Sequence, residues 1–467
     1  GDTDDISEGN KLFVKGKDNK AGLVEQFQKM EFDTTGVNQE DTMLTATNGT
    51  ATNDINWDTL DVKGTAANGK ITLLKNMAGI NLTGTAAGQS RSTLNEDGKS
   101  EQNLAVVNGD PSDTGKVTAI IAESYQFKDK TTTSSVTESG LTTTWGGRSI
   151  AGNTTTGNEI TVGSGNHTNV YGGWTTGAGS TAAGEDALKN STDNKVTVSG
   201  TAAVTGTVYG GFTDAAGGKA HKNTVTINKT ITGKVVGGEA EGEATYNTVN
   251  INQSAGDVIG GKSAGAAASN NIINIKANSG AVTGGKSMGA EASRNIINIE
   301  NAITGAVTGG DGTKTDSNTV NLTNTTVNGT ITGGTADGGL GNTLTVKGKN
   351  TAQNIKGFRM VEFHADTADT ATETPLLTLI TGETTLAGKD VINVEGSTAS
   401  GKITLLHNAN GINIEGYTGG DPLQSKTTDT TEKNVSVLRN SSGKITDITY
   451  EGYRFSKVES FVEKAVA

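Results

Sequence analysis

From residue 158 onward the chain repeats one short signal, an asparagine followed by alternating apolar and polar side chains. The runs begin at Asn158, Asn194, Asn223, Asn247, Asn271, Asn295, Asn318 and Asn342. They read NEITV, NKVTV, NTVTI, NTVNI, NIINI, NIINI, NTVNL and NTLTV. Alternation with period two predicts strands rather than helices. The first two spacings are 36 and 29 residues, and the later ones settle at 23 or 24. A unit of that size, built on five-residue strands, matches one coil of a parallel β-helix rising by roughly 4.8 Å, the interstrand spacing. The second and fourth residues after each Asn are expected to point inward, from Ile160 and Val162 to Leu344 and Val346. The third are expected to face out: Thr161, Thr197, Thr226, Asn250, Asn274, Asn298, Asn321 and Thr345.

About half a coil after each run but the last comes V-x-G-G or I-x-G-G, from Val170–Gly173 to Ile331–Gly334, and Trp145–Gly147 marks one more, degenerate coil. The glycine pair is expected to form a sharp corner, where a Cβ would be costly. Two structural readings of the leading Asn stay open. Stacked copies can form an amide ladder along the axis, or each Asn can occupy a left-handed turn position.

The two ends repeat each other. LDVKGTAANGKITLLKN (60–76) parallels INVEGSTASGKITLLHN (392–408), and Gly69–Leu74 is identical to Gly401–Leu406, 332 residues on. KLFVKGK (11–17) parallels TLTVKGK (343–349), and ESYQFK (123–128) parallels EGYRFS (451–456). The expected organisation is an irregular, loop-bearing module over 1–140, regular coils over 141–341, and a second irregular module over 342–467 ending in a cap or linker. The loops 36–56, 83–102 and 415–433 read as projections. Matching ends suit three arrangements: terminal caps of a solenoid, a stretch of a longer tandem array, or head-to-tail assembly.

Composition narrows the function classes. Only 32% of residues are hydrophobic and 4% aromatic, while glycine reaches 66 of 467 and proline 3. Scarce proline and periodic Val, Ile and Thr argue for a repetitive β architecture over disorder. A net charge of −12 disfavours nucleic acid as a partner, since no basic stripe exists to neutralise phosphates. The absence of cysteine excludes thiolate metal sites and cysteine nucleophiles. No targeting or membrane-spanning segment is read here, so membrane anchoring is expected only through segments outside this chain.

Together the N-x-Φ-x-Φ…V-x-G-G coils, the Gly/Thr/Asn bias, the missing Cys and the rare Pro resemble the passenger regions of bacterial autotransporters and related secreted β-helix adhesins. The resemblance covers most of the chain. It implies a right-handed parallel β-helix, extracellular, on the surface of a Gram-negative cell. The family's C-terminal membrane barrel is not matched.

Chemistry is sparse. His167, His221, His364 and His407 are scattered without metal-ligand spacing. The G-x-S-x-G letters of GKSAG (261–265) and GKSMG (285–289) sit at one turn of successive coils, so Ser263 and Ser287 read as turn residues rather than nucleophiles. The acids Asp214, Asp257, Glu291 and Asp311 do not share a coil position, as polysaccharide cleavage would need. No catalytic residue, metal site or cofactor is assigned. One feature exceeds scaffold: aromatics bracket the early glycine pairs, at Trp145, Tyr171, Trp174, Tyr209 and Phe212. If exposed, they form a ligand-binding patch for sugars or protein; the structural alternative is that the N-terminal module or the 175–193 insertion covers them. The expected function is a non-enzymatic adhesin or stalk attaching to host glycans, host proteins or other cell-surface components. The alternative is a self-associating filament or coat subunit, and a polysaccharide-active enzyme ranks third.

Overall fold

The computed structural model describes residues 10–64, 69–84, 90–95, 98–109, 116–177, 189–336, 341–368, 374–396, 401–419, 422–427 and 431–454. The fold is a β-solenoid of stacked parallel strands with about 14 turns. It divides into two compact units, one of 1–160 with 173–190, the other of 161–172 with 191–467.

In the first unit three parallel ladders enclose the core. Lys11–Lys15, Lys29–Asp33 and Leu60–Lys63 form one side. Asn19–Ala21, Thr42–Ala46 and Gly69–Lys75 form the second, and Thr52–Asn56 pairs with Ile80–Thr83 on the third. Met30, Phe32, Met43, Ile55, Ile71 and Leu74 fill the interior. The GKITLL strand then changes partner type. It pairs antiparallel with Val117–Gln126, which continues to Ser100–Asn108 and Arg91–Leu94 as a meander. A hairpin follows, Ser134–Glu138 with Leu141–Ser149, closed at Ser139 and Gly140, which both take positive φ as a type I′ turn requires.

The second unit holds the regular coils. From Lys195–Val198 to Ile392–Glu395, nine strands stack in parallel and in register. The column Val196, Val225, Val249, Ile273, Ile297, Val320, Leu344 runs along the core, with no member more than 1% exposed. Each methyl-rich side chain therefore packs on its own kind above and below, which suits β-branched residues.

One expectation about the repeat is revised, and one of the two readings of the Asn is set aside. The glycine pairs are not corners. They lie inside strands such as Thr207–Thr213 and Lys234–Ala240. Glycine is required there for space: a Cβ on Gly237 would sit 2.9 Å from the Asn247 Cβ and closer still to the Gly260 carbonyl oxygen. The left-handed position lies one residue before the ladder Asn, at Asp193, Lys222, Tyr246, Asn270, Arg294 and Ser317, with φ of 54 to 59°. A non-glycine residue pays roughly 1–2 kcal/mol for that conformation, so something in each turn must hold it.

The amides hold it. Seven asparagines, from Asn194 to Asn342, are 0% exposed. The Nδ2 of each of the first six donates to the Oδ1 of the next, at 3.0 to 3.2 Å, and that of Asn342 to the Gly357 carbonyl. The same Oδ1 accepts the backbone N–H of the preceding Asn at 2.9 to 3.1 Å. From Asn223 to Asn318 the second Nδ2 proton goes to a backbone carbonyl across the coil. The polar groups of these buried amides are satisfied, which is what makes such burial tolerable. Of the two readings of the Asn, the ladder is the one the molecule uses.

The end modules match in detail. Gly401–Asn408 pairs antiparallel with Ile445–Arg454, which continues to Thr431–Arg439 and Gln424–Thr427. The register slips at Leu405 as it does at Leu73. Asn408 donates to Thr384 Oγ1 and the Gly382 carbonyl, as Asn76 donates to Thr52 Oγ1 and the Thr50 carbonyl.

Candidate functional site

The five aromatics fall into two clusters rather than one exposed patch. In the first unit Trp145 is 1% exposed. Its ring meets Tyr125 edge-on at 6.2 Å and Trp174 at 6.1 Å. The Arg148 guanidinium lies over all three rings, 4.4 Å from Tyr125, 4.9 Å from Trp145 and 4.3 Å from Trp174. A half-buried cation over several π faces is stabilised by about 1–2 kcal/mol. Of the two readings the sequence left open, an exposed patch is corrected for Trp145 and cover by the N-terminal module holds: Tyr125 from the N-terminal meander, with Arg148 three residues along Trp145's own strand, covers it. Burial also pushes the Tyr125 phenol well above its usual range. Trp145 Nε1, Arg148 Nε and Ser124 Oγ are buried in this region without hydrogen-bond partners among the described residues. Arg148 and the covering Tyr125 were missed because the repeat that marks Tyr125, ESYQFK, does not show which ring it lies against, and no repeat marks Arg148.

In the second unit Tyr171 stacks on Tyr209, with centroids 4.8 Å apart and planes 8° from parallel. Phe212 meets both rings edge-on at 5.6 and 5.3 Å. Tyr171 is 9% exposed, so the exposed-patch reading is corrected for it as well: the Tyr209 and Phe212 rings cover it. Tyr209, Phe212 and, in the first unit, Trp174 keep partial exposure. Beside Phe212 a small hollow of about 200 Å³ is rimmed by Asp214, Glu239, Glu241 and Lys262; Lys262 pairs with Glu239 at 2.6 Å.

The outward column of the nine-strand sheet carries a second amide ladder. Asn274 Nδ2 donates to Asn250 Oδ1, Asn298 to Asn274 and Asn321 to Asn298, at 2.7 to 2.8 Å. Its direction is opposite to that of the buried ladder. Ile272 and Ile296, each 37% exposed, flank the column on one side. Lys276 and Glu300 flank it on the other, enclosing an open groove of about 390 Å³ with Thr226, Asn250 and Asn252. Further along, Asn321, Thr345, Lys347, Glu362 and His364 line a groove of about 500 Å³. An amide in such a ladder still presents one N–H and one oxygen lone pair to solvent. The groove thus offers a donor and an acceptor once per coil.

A cavity of about 520 Å³ opens near Gly334. Ile355, Phe358, Val361 and Leu386 form its apolar floor; Lys356, Arg359 and Glu415 stand at the rim. Its cause is a short turn. Thr343 pairs with Met360 only 17 residues on, too few to build a third side, and that spacing was a readable signal in the sequence.

The catalytic-looking motifs resolve into local structure. Ser263 Oγ donates to the Gly242 carbonyl at 2.6 Å and accepts the Ala266 N–H at 2.8 Å; Ser287 repeats both bonds one turn later. Among the described residues no three His, Asp or Glu side chains gather as a metal-binding group, and no helix is long and apolar enough to cross a membrane. No protein-family model, curated protein or solved structure matches this chain.

Proposed function

We propose that this chain is an extracellular, surface-displayed adhesin or stalk, of the autotransporter-passenger kind its coils resemble, and that it holds an extended glycan along the outward amide column. The observation that carries the reading is the bonded series Thr226, Asn250, Asn274, Asn298, Asn321 in an open groove. One donor and one acceptor per coil match a polymer with repeating hydroxyls. Many weak contacts then add through effective concentration. The exposed edges of Ile272 and Ile296 supply an apolar rail for the sugar faces.

The test is a glycan array and titration with the intact chain and with a triple Asn250→Ala, Asn274→Ala, Asn298→Ala variant. Saturable binding to an extended glycan, lost in the variant while the far-UV β signal persists, supports the reading. Binding that the triple variant leaves unchanged, or no glycan binding at all, overturns it. The second reading, a filament or coat subunit, draws on the atom-level match of the two end modules. Ordered polymers in electron micrographs would favour it, and a monomer at high concentration would sink it.

A further inference from the structure

The two end modules differ in what lies on the outer face of their meanders. In the first unit that face carries Glu101, Asn103 and Tyr125, at 0%, 3% and 3% exposure. Glu101 and Tyr125 are cross-strand neighbours. Asn103 Nδ2 donates to Glu101 Oε1 at 3.0 Å, and Ser92 Oγ donates to Asn103 Oδ1. The segment from Arg148 to Asn153 seats on this face. Ser149 Oγ and Asn153 Nδ2 donate to Glu101 Oε2, each at 2.6 Å. The Ile150 and Ala151 N–H groups donate to Oε1 at 2.7 and 3.2 Å. The Arg148 guanidinium covers the Tyr125 ring.

The C-terminal meander builds the same face. Glu432 and Tyr453 are cross-strand neighbours. Asn434 Nδ2 donates to Glu432 Oε1 at 2.8 Å, and Ser425 Oγ donates to Asn434 Oδ1 at 2.8 Å. Every acceptor atom has its counterpart. Yet Tyr453 is 43% exposed, against 3% for Tyr125, and among the described residues the hydrogen-bond donor to Glu432 is Asn434 alone. An oriented carboxylate beside an exposed ring is what Arg148–Asn153 recognises in the first unit.

We propose that the Glu432–Tyr453 face is a docking site for a polypeptide strand-and-turn with the chemistry of Arg148–Asn153. That chemistry is an arginine to cover the tyrosine ring, then a serine hydroxyl, two free backbone N–H groups and an asparagine amide to converge on the carboxylate. The occupant is a partner segment that extends the stack at this end. The proposal stands independently of glycan binding along the amide column.

The probe is a fluorescein-labelled peptide of residues 134–153, which includes the hairpin Ser134–Ser149 and its turn. It is titrated against the intact chain by fluorescence anisotropy. Saturable binding is expected, weakened at least tenfold by Glu432→Gln or Tyr453→Ala in the chain, and by Arg148→Ala in the peptide. Glu432→Gln keeps the shape while turning an N–H toward incoming donors, and far-UV circular dichroism checks the fold of both variants. The peptide substitution reads the same contact with no change to the chain. Absence of saturation overturns the proposal. So does binding indifferent to Glu432→Gln and Tyr453→Ala, which places the peptide on the Glu101 face by strand exchange.

Discussion

Replacing Asn271 by alanine tests whether the buried ladder stabilises the stack or merely fits it. The Asn271 side chain makes four bonds: to the Ala244 carbonyl, to Asn295 Oδ1, and from the Asn247 N–H and Nδ2. Deleting it strands the Asn247 backbone N–H and one Asn247 amide proton, both buried. Each orphaned donor costs about 1–3 kcal/mol, so the loss is about 2–6 kcal/mol. A water entering the polar space recovers part of that, which places the expectation near 3 kcal/mol. Asn274, in the same strand, is the control. It loses bonds of the same type on the outward face, where solvent replaces them, and should cost at most about 1 kcal/mol. Urea unfolding followed by far-UV circular dichroism gives both midpoints. Because a repeat array does not unfold in two states, hydrogen exchange of peptides spanning Asn247 to Asn295 supplies the local reading. Equal midpoints for the two variants, with exchange unchanged around Asn247, would mean that the buried ladder merely fits the stack without stabilising it. Asn271→Asp adds a pH signature. Its second oxygen would face the Ala244 carbonyl and Asn295 Oδ1, so the folded state favours the protonated acid and its pKa rises. Stability is then retained below the unfolded value of roughly 3.9 and lost as pH climbs above it.

Other perturbations follow from particular contacts. Glu101→Ala strands the donors of Ser149, Ile150 and Asn153 and should cost about 3 kcal/mol or more, with faster proteolysis in 149–153 as the local readout. Gly237→Ala should destabilise by about 1–3 kcal/mol through backbone overlap, while Gly265→Ala, where a Cβ would meet nothing within 4 Å, should change the midpoint by no more than about 1 kcal/mol. Lys130 is 3% exposed, its Nζ 2.5 Å from Ser134 Oγ, and burial depresses its pKa to about 8. Protonation therefore favours the unfolded chain: stability falls as pH drops from about 10.5 through about 8. Lys130→Met should add about 2–3 kcal/mol at pH 7, a gain that vanishes near pH 11 in a pH series of unfolding midpoints. Arg148→Met should cost about 1–2 kcal/mol and shift the emission of Trp145 and Trp174.

What the sequence disclosed was whatever repeats. The coil length, the inward columns and the outward amides all recur at fixed spacing, so one turn predicts the next. The likeness of the two GKITLL strands, which pair antiparallel with the same slip in both copies, was legible for the same reason. Positions that depend on what lies across a turn were not. The glycine pairs look like corners until the Asn247 and Gly260 atoms beside Gly237 are seen. The left-handed residue is Lys in one turn and Tyr or Arg in others, because the bonded Asn that follows imposes the conformation whatever side chain bears it. Whether Trp145 was exposed or covered stayed open because the Tyr125 and Arg148 groups that bury it are not placed by the coil period. Glu101 meets its donors across 48 to 52 residues of non-repeating chain, with no period to betray the pairing.

The bonded column of buried amides also makes length a digital property. Each coil brings one Asn that closes the donor pair of the coil before it and opens a new pair. A gene that gains or loses a whole coil at a recombination joint returns a complete column. One that gains a single codon within the strand turns the inward apolar side chains out and the outward polar ones in, and puts that coil out of register with its neighbours. Spacer residues between strands absorb the remaining variation, as the 29-residue interval from Asn194 to Asn223 shows. Natural relatives of this chain should therefore differ in reach by whole coils, so that the distance spanned evolves by counting rather than by stretching.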